Sequence, residues 1–162
     1  NRLQFSQILG EKIAKAEREE QKFAVLFIDL DRFKVINDTL GHDAGDRFLA
    51  ETGQRITDCL RADDVVARLG GDEFVVVLNQ VRGRDGVSRV ATNLLAAIAG
   101  PTVLSGHECR TSGSIGIAIY PDHGTDEQTL TKRADIAMYE AKAEGKNGFR
   151  FYSKDIKSQS IE

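Results

Sequence analysis

Hydrophobic positions follow a helical spacing in several stretches of the chain. In residues 3–20 the apolar side chains recur every three or four positions between charged ones, which predicts an amphipathic helix. A shorter helix is predicted to end with Gly41 as its C-cap, and Asp43 is placed to act as the N-cap of the next helix. The helices predicted after the first one cover residues 33–40, 44–60, 87–98 and 126–144.

Other apolar stretches follow the pattern of strands. Residues 23–28 are apolar without interruption, as expected for a central strand that is buried on both faces. In residues 114–120 isoleucines alternate with small residues, which is the period of a strand, and the small residues would let a helix pack closely. Further strands are predicted at residues 65–67, 74–78 and 149–152, with an edge strand that begins near Pro101.

The order of these elements predicts an α+β fold. A strand, helices, a β-hairpin, a helix and a strand follow one another, as in the ferredoxin-like core, so we expect a central, mostly antiparallel five-stranded sheet surrounded by helices. In such a sheet the first strand lies antiparallel beside the third. The end of the first strand at Asp29 should therefore lie next to the start of the third at Asp72.

The turn of the predicted hairpin, residues 70–73, consists of two glycines and two acids. Glycines allow the backbone to approach a bulky ligand, and adjacent carboxylates repel each other unless a cation or a proton lies between them. With Asp29 and the carbonyl of Leu30 these acids form a set of hard oxygen ligands, which suits Mg²⁺ or Mn²⁺ better than zinc. A metal-bound polyphosphate would explain the turn, and so would an ordinary surface turn with solvated acids.

Composition narrows the functional classes. The 162 residues fit one domain, and 41% hydrophobic with 29% charged residues is typical of a soluble globular protein. The net charge of −3 gives no basic footprint for nucleic acid. Cys59 and Cys109 occur without a CxxC motif or a His pair, a usage that suits a reducing cytoplasm. No stretch resembles a membrane span or a signal peptide, and we expect the chain to be part of a longer protein, so that any membrane anchor would lie outside it.

Three long motifs resemble the GGDEF family of diguanylate cyclases. They are Gly70-Gly71-Asp72-Glu73-Phe74, the segment FIDLDRFKVINDTLGHDAGD at residues 27–46, and the segment ADIAMYEAKAEGKN at residues 134–147. The resemblance implies a palm-like nucleotide-cyclase fold, with residues 1–153 forming the GGDEF domain and residues 154–162 a polar C-terminal connector. It also implies the condensation of two GTP molecules into cyclic di-GMP with release of two pyrophosphates. A P-loop GTPase is disfavoured because the GxxxxGK[ST] motif is absent from the sequence.

The resemblance carries a role to each matching position. Asp29, the Leu30 carbonyl and Asp72 would bind two Mg²⁺ or Mn²⁺ ions per active site, and Glu73 would be a further ligand or the base that frees the attacking 3′-hydroxyl. Asp72, Glu73 and Lys34 would thus be the catalytic residues. The phosphates would be held by the backbone amides of Arg32 and Phe33 and by the side chains of Lys34, Lys142 and Lys146. Asn37 and Asp46 would bind the guanine with His42 nearby, and Gly70 and Gly71 would let the backbone lie against the nucleotide. Taken singly, each of these polar residues also fits an ordinary structural or solvated role.

A second site follows from the same resemblance. Arg61 and Asp64 match the RxxD motif at which cyclic di-GMP inhibits members of the family. A further arginine usually contributes to this site, and Arg82, Arg84 and Arg89 are its candidates.

The resemblance also supports a different function. The domain could be a catalytically silent module that binds GTP or cyclic di-GMP and controls an attached EAL phosphodiesterase, because the polar tail resembles the connector of GGDEF–EAL tandem proteins. The intact signature favours the enzyme. Since each domain would hold one GTP, turnover requires a homodimer, and sensor or EAL domains are expected in the full-length protein. The DxLT segment that precedes the Asn-Arg pair in the family is not in this sequence, so the activity of the chain by itself stays open.

Overall fold

The computed structural model describes residues 2–154 of the chain. The predicted connector, residues 154–162, lies outside the described residues except for its first one. The helices within residues 2–154 are α1 (Arg2–Glu19), α2 (Phe33–Leu40), α3 (His42–Asp58), α4 (Arg84–Ile98) and α5 (Glu127–Ala143). The strands are β1 (Lys22–Asp31), β2 (Val65–Gly70), β3 (Glu73–Val81), β4 (Thr102–Leu104), β5 (His107–Cys109), β6 (Ser112–Tyr120) and β7 (Gly148–Phe151).

The main sheet has five strands in the order β2-β3-β1-β6-β7. The first four pair antiparallel, and β6 pairs with β7 in parallel. This arrangement confirms the predicted α+β fold with a mostly antiparallel sheet, and it places β1 at the centre. The strand predicted to begin near Pro101 is present as β4, which turns at Ser105 and Gly106 and pairs with β5 in a separate two-stranded ribbon.

The sheet separates two hydrophobic cores. Alternate residues of β1 point to opposite faces, so Leu26 and Ile28 pack with α2, α3 and α4, whereas Val25 and Phe27 pack with α1 and α5. Residues 23–28 are all buried, as the uninterrupted apolar run predicts. Because β1 is covered on both faces, its carboxyl-terminal end is held in a fixed position, and this end carries the polar residues discussed below.

Small residues of β6 let α5 approach the sheet. A Cβ atom built on Gly116 would lie 2.1 Å from the backbone oxygen of Ala134 and 2.1 Å from the backbone nitrogen of Met138, both in α5. The close packing predicted from the small residues of this strand is therefore present. Asp126 fixes the start of α5, because its side chain accepts a hydrogen bond from the backbone N–H of Thr129 at 2.8 Å.

The junction between α2 and α3 differs from the prediction in one respect. Gly41, with φ 93°, ends α2 as expected and directly precedes α3, so α3 begins at His42. Asp43 consequently lies inside the first turn of α3 and is not its N-cap. There it can still interact favourably with the helix dipole.

Candidate active site

Antiparallel pairing of β1 and β3 brings three carboxylates to one edge of the sheet. Asp29 lies directly opposite Glu73, and the N–H of Leu30 donates a hydrogen bond to the carbonyl of Asp72 at 3.2 Å. The residues are more than forty positions apart in the sequence. The sheet thus produces the juxtaposition that the topology predicts.

The side chain of Asp29 is more buried than that of Glu73. One oxygen of its carboxylate, Oδ2, accepts a hydrogen bond from the ammonium group of Lys142, while Oδ1 is buried and has no hydrogen-bond partner among the described residues. Burial raises the pKa of Asp29, and the neighbouring charge of Asp72 raises it further. An orphaned carboxylate oxygen at a strand end is the place where a cation would be stabilised.

The same cluster of acids affects the pKa of Lys142. Burial lowers the pKa of its ammonium group, but the hydrogen bond to Asp29 and the charges of Asp29, Asp31 and Asp72 together raise the pKa above its ordinary value. Lys142 is therefore protonated and positively charged at neutral pH. It belongs to the predicted phosphate-binding set, and its side chain reaches from α5 to the predicted metal ligand Asp29.

Glu73 faces two residues that sequence reasoning missed. Its carboxylate lies 3.5 Å from the guanidinium of Arg2, the first described residue of α1. Burial raises the pKa of Glu73, as does the charge of Asp29. Asp135 of α5 joins the cluster, and its pKa is also raised by burial, against the lowering effect of Arg2. Asp135 precedes Lys142 by seven residues, or two helical turns, and this spacing could have indicated a shared face.

These oxygens fit a divalent cation that arrives with a nucleotide. Within residues 2–154 no three His, Cys, Asp or Glu side chains already form a metal cage. Mg²⁺ is usually bound by one or two carboxylates together with substrate phosphates, rather than by a cage made of protein alone. Asp29 Oδ1, the Leu30 carbonyl and the acids of the turn supply ligands of this kind.

The start of α2 offers backbone donors beside the acids. Arg32 has a left-handed conformation with φ 61° and its side chain makes no capping hydrogen bond, so the first amides of α2 are not satisfied by a cap. A helix N-terminus of this kind attracts anions. Phe33 is buried and anchors this turn, whereas Arg32 and Lys34 are exposed. Lys146 and Arg32 line the same cleft, which has a volume of about 240 Å³.

The predicted guanine-binding residues meet where α2 packs on α3. A Cβ atom built on Gly45 would lie 1.8 Å from Oδ1 of Asn37, so the Asn37 side chain occupies the space that this glycine leaves. Asp46, the next residue, lines a groove of about 450 Å³ together with Arg68 and Phe74. His42 is exposed at the first position of α3.

The hairpin turn lies beside this groove. Gly71 has φ 50°, and a Cβ atom at Gly70 or Gly71 would meet nothing within 4 Å. The space above both glycines is therefore open to a ligand. The carbonyl of Gly71 accepts a hydrogen bond from the Arg68 side chain at 2.7 Å, which connects the turn to the groove that Arg68 lines with Asp46.

A second cavity, of about 520 Å³, contains the RxxD residues. The carboxylate of Asp64 is 3% exposed and accepts hydrogen bonds from the backbone N–H groups of Arg61 at 2.9 Å and Asn79 at 3.0 Å. Arg82 and Arg89 line the same cavity as Arg61. The third candidate, Arg84, lies over the ring of Phe151 at 4.3 Å.

The family of this chain is established by its similarity to known proteins. The family model described as "Diguanylate cyclase, GGDEF domain" matches residues 1–148. The chain belongs to the GGDEF family. The family assignment inferred from the three motifs is thereby confirmed.

Individual GGDEF proteins resemble the chain over most of its length. It is 43% identical over 162 residues to the bifunctional diguanylate cyclase/cyclic di-GMP phosphodiesterase MucR of Pseudomonas aeruginosa, covering 100% of this chain and 24% of MucR. It is 44% identical over 151 residues to the diguanylate cyclase TpbB of the same organism, covering 93% of this chain and 35% of TpbB. The chain thus spans about a quarter to a third of the length of these relatives.

The fold agrees with a solved GGDEF structure. The crystal structure of the GGDEF domain of TpbB (YfiN) from P. aeruginosa superposes with a TM-score of 0.92 at 43% identity, covering 96% of this chain and 97% of that one. No helix within residues 2–154 is both long enough and apolar enough to cross a membrane.

Proposed function

We propose that this GGDEF domain condenses two GTP molecules into cyclic di-GMP and two pyrophosphates. In each half-reaction the 3′-hydroxyl of one GTP attacks the α-phosphorus of the other, the bond from that phosphorus to pyrophosphate breaks, and the hydroxyl proton passes to a base or to water. Each domain holds one GTP. Two domains must therefore face each other in an antiparallel homodimer.

The observation that carries the proposal is the pairing of Asp29 with the intact turn, residues 70–73. It places a buried carboxylate with one free oxygen opposite Glu73 and beside Asp72, with Lys142 in contact. Hard oxygen ligands next to a lysine and a helix N-terminus match a metal-bound triphosphate. Open space above the two glycines leaves room for the nucleotide.

The chain's own residues bind and orient the substrate. The first amides of α2 and the side chains of Lys34, Lys142 and Lys146 hold the phosphates. Asn37 and Asp46 hydrogen-bond the guanine, and a carboxylate that faces adenine would lack its donors, which favours GTP over ATP. Glu73 is a metal ligand or accepts the proton of the attacking hydroxyl. When bound, two divalent ions would lower the pKa of that hydroxyl and neutralise charge on the α-phosphate and the pyrophosphate.

The experiment that tests the activity uses the chain joined at its N-terminus to its DxLT segment and a dimerising coiled coil. After incubation with GTP and Mg²⁺ the nucleotides are separated by chromatography, and a cyclic di-GMP peak is expected. Asp72→Ala should abolish the peak. Asp122→Ala is the matched control, because this aspartate forms an exposed ion pair with Lys22, at the opposite end of β1 from Asp29. GTP that binds but stays intact would refute the enzymatic role.

The cavity with the RxxD residues favours a second property, the binding of cyclic di-GMP. Arg61, Arg82 and Arg89 supply guanidinium groups that can hold phosphates and guanine edges, and the buried Asp64 fixes the backbone of Arg61. In an active domain, binding there would inhibit the enzyme. In a silent domain it would pass a signal to an attached EAL phosphodiesterase, and the relative MucR is named as both a diguanylate cyclase and a cyclic di-GMP phosphodiesterase. Cyclic di-GMP binding without turnover would favour the silent module.

A further inference from the structure

Asp31, the last residue of β1, is a buried acid to which the proposed function gives no role. It is 4% exposed, and its carboxylate is held by hydrogen bonds in the described part of the chain. Asp31 lies two residues after Asp29 and so on the same face of β1, and the chain turns into α2 directly after it. A buried carboxylate at this junction needs an explanation.

Three donors from two other segments converge on this carboxylate. Oδ1 accepts a hydrogen bond from the hydroxyl of Ser114 at 2.9 Å. Oδ2 accepts one from the hydroxyl of Ser112 and one from the backbone N–H of Asn147 at 3.2 Å. Hydrogen bonds to an ionised group are roughly twice as strong as neutral ones. Asp31 thus joins β1 and β6 to the turn that follows α5.

That turn has an unusual backbone. Gly145, Lys146 and Asn147 have φ angles of 124°, 65° and 49°, three successive positive values. Left-handed conformations cost free energy at residues other than glycine, so they persist only where the surroundings hold them. The N–H of Lys146 bonds to the carbonyl of Ala141 at 3.1 Å, and the N–H of Asn147 bonds to Asp31. The N–H of Gly145 also bonds within the end of α5, to the carbonyl of Lys142 at 3.2 Å, whereas the Asp31 carboxylate anchors the turn to β1.

The turn carries Lys146 into the cleft that it shares with Arg32. Arg32 follows Asp31 directly and precedes α2. The carboxylate therefore connects the two sides of this cleft at its floor, because Asp31 and Asn147 also line it. A shift of the turn would move the Lys146 ammonium relative to the start of α2 without disturbing the guanine groove.

We propose that Asp31 is a positioning residue for the triphosphate: its carboxylate fixes the turn at Lys146 to the ends of β1 and β6 and so holds Lys146 opposite the N-terminus of α2. This inference rests on the proposed function. Asp31 touches no nucleotide itself, and its effect passes through the Asn147 N–H. Loss of this tie should weaken binding of the phosphates and leave binding of the guanosine unchanged.

The test measures binding to the 162-residue chain with 3′-deoxy-GTP and Mg²⁺, a nucleotide that cannot react because it lacks the attacking hydroxyl. Asp31→Ala should raise the Kd for 3′-deoxy-GTP about tenfold, the order expected from one charge-assisted bond, and leave the Kd for 3′-deoxyguanosine unchanged. Lys146→Ala should weaken 3′-deoxy-GTP similarly, and the double variant should be no weaker than Lys146→Ala alone. Equal losses for both ligands, or additive losses in the double variant, would overturn the positioning role.

Asp31→Asn separates the effect of the hydrogen bond to the Asn147 N–H from the effect of the negative charge at residue 31. Its amide oxygen can accept from Asn147 while its NH₂ group faces the Ser114 hydroxyl, which can rotate to accept. This variant should keep the Kd for 3′-deoxy-GTP within about threefold of the unsubstituted chain, because the bond to the turn survives. A loss of affinity for 3′-deoxy-GTP as large as that of Lys146→Ala would show that the negative charge of Asp31 matters and its hydrogen bond to Asn147 does not.

Two further results keep the inference falsifiable if Asp31→Ala does not fold. In the unsubstituted chain the amide of Asn147 should exchange its hydrogen slowly, and fast exchange would contradict the tie. Failure of the unsubstituted chain to bind 3′-deoxy-GTP would overturn the proposed function and this inference with it. Normal binding by the unsubstituted chain and an unchanged Kd in Asp31→Ala would overturn this inference alone.

Discussion

Gly45→Ala should weaken guanine binding without unfolding the domain. The added Cβ would lie 1.8 Å from Oδ1 and 2.9 Å from Cγ of Asn37, and 3.3 Å from Cζ of Phe33. Atoms cannot approach so closely, so the Asn37 side chain must rotate out of the space above α3. The backbone of both helices can stay in place, because the displaced atoms are the end of a side chain.

The magnitude follows from what is lost and what is gained. If the Asn37 amide makes one or two hydrogen bonds to guanine, their loss costs about 0.5–1.5 kcal/mol each, which raises the Kd for GTP roughly tenfold. Replacing glycine by alanine inside a helix stabilises it by about 0.5–1 kcal/mol. The tight contact with Phe33 offsets part of that gain, so the free energy of unfolding should change by less than about 1 kcal/mol.

The assay combines titration with 3′-deoxy-GTP and thermal unfolding. Gly10→Ala is the matched control, since this glycine lies within α1 and a Cβ atom there meets nothing within 4 Å. It should raise the Tm and leave the Kd unchanged. Gly45→Ala combined with Asn37→Ala should bind no more weakly than Asn37→Ala alone. Unchanged affinity in Gly45→Ala would refute the assignment of Asn37 to the guanine.

Three further predictions concern other parts of the fold. Gly116→Ala should lower the free energy of unfolding by about 3 kcal/mol or more, because the new Cβ meets the backbone of α5, and a Tm within two degrees of the original would contradict this. Asp135→Asn should raise the Tm at pH 7, because the raised pKa of this carboxyl means that its ionisation opposes folding above its ordinary pKa of 3.8, and the gain should shrink as the pH falls toward 3.8. In the cyclase assay, Arg82→Ala and Arg89→Ala should each weaken product inhibition, while Arg84→Ala, the control that lies over Phe151, should not; equal effects of all three would contradict the assignment.

The parts of the fold that depend on local sequence pattern could be predicted from the sequence. The apolar run of β1 identifies a central strand because a strand covered on both faces has no polar positions. Once that strand is central, the meeting of Asp29 with the hairpin follows from topology. The small residues of β6 likewise indicate a close helix, since only a position without a Cβ tolerates the backbone of α5 at Gly116.

The remaining features depend on contacts that sequence pattern does not encode. In the sequence Asp31 looks like one more acid in a polar segment, because its hydrogen-bond donors come from β6 and from the turn after α5, far away along the chain. The choice among the three arginines depends on the direction of each side chain near the start of α4. Asp43 looks like a cap because its residue type fits, yet Gly41 ends one helix and the next begins immediately after it. The ion pair of Arg2 with Glu73 joins the first residue of α1 to the first residue of β3, which are far apart in the sequence.

The register between β1 and β3 has a consequence for how this domain can change in evolution or in the laboratory. Asp29 faces Glu73 in the pairing of β1 with β3, and side chains alternate between the two faces of the sheet. A length change in the turn that shifted β3 by one residue would exchange its inward and outward sets, and Asp72 or Phe74 would then lie opposite Asp29 in place of Glu73. Replacement of residues in the hairpin is therefore far less disruptive than a change in its length, and libraries that vary this loop should hold its residue count constant.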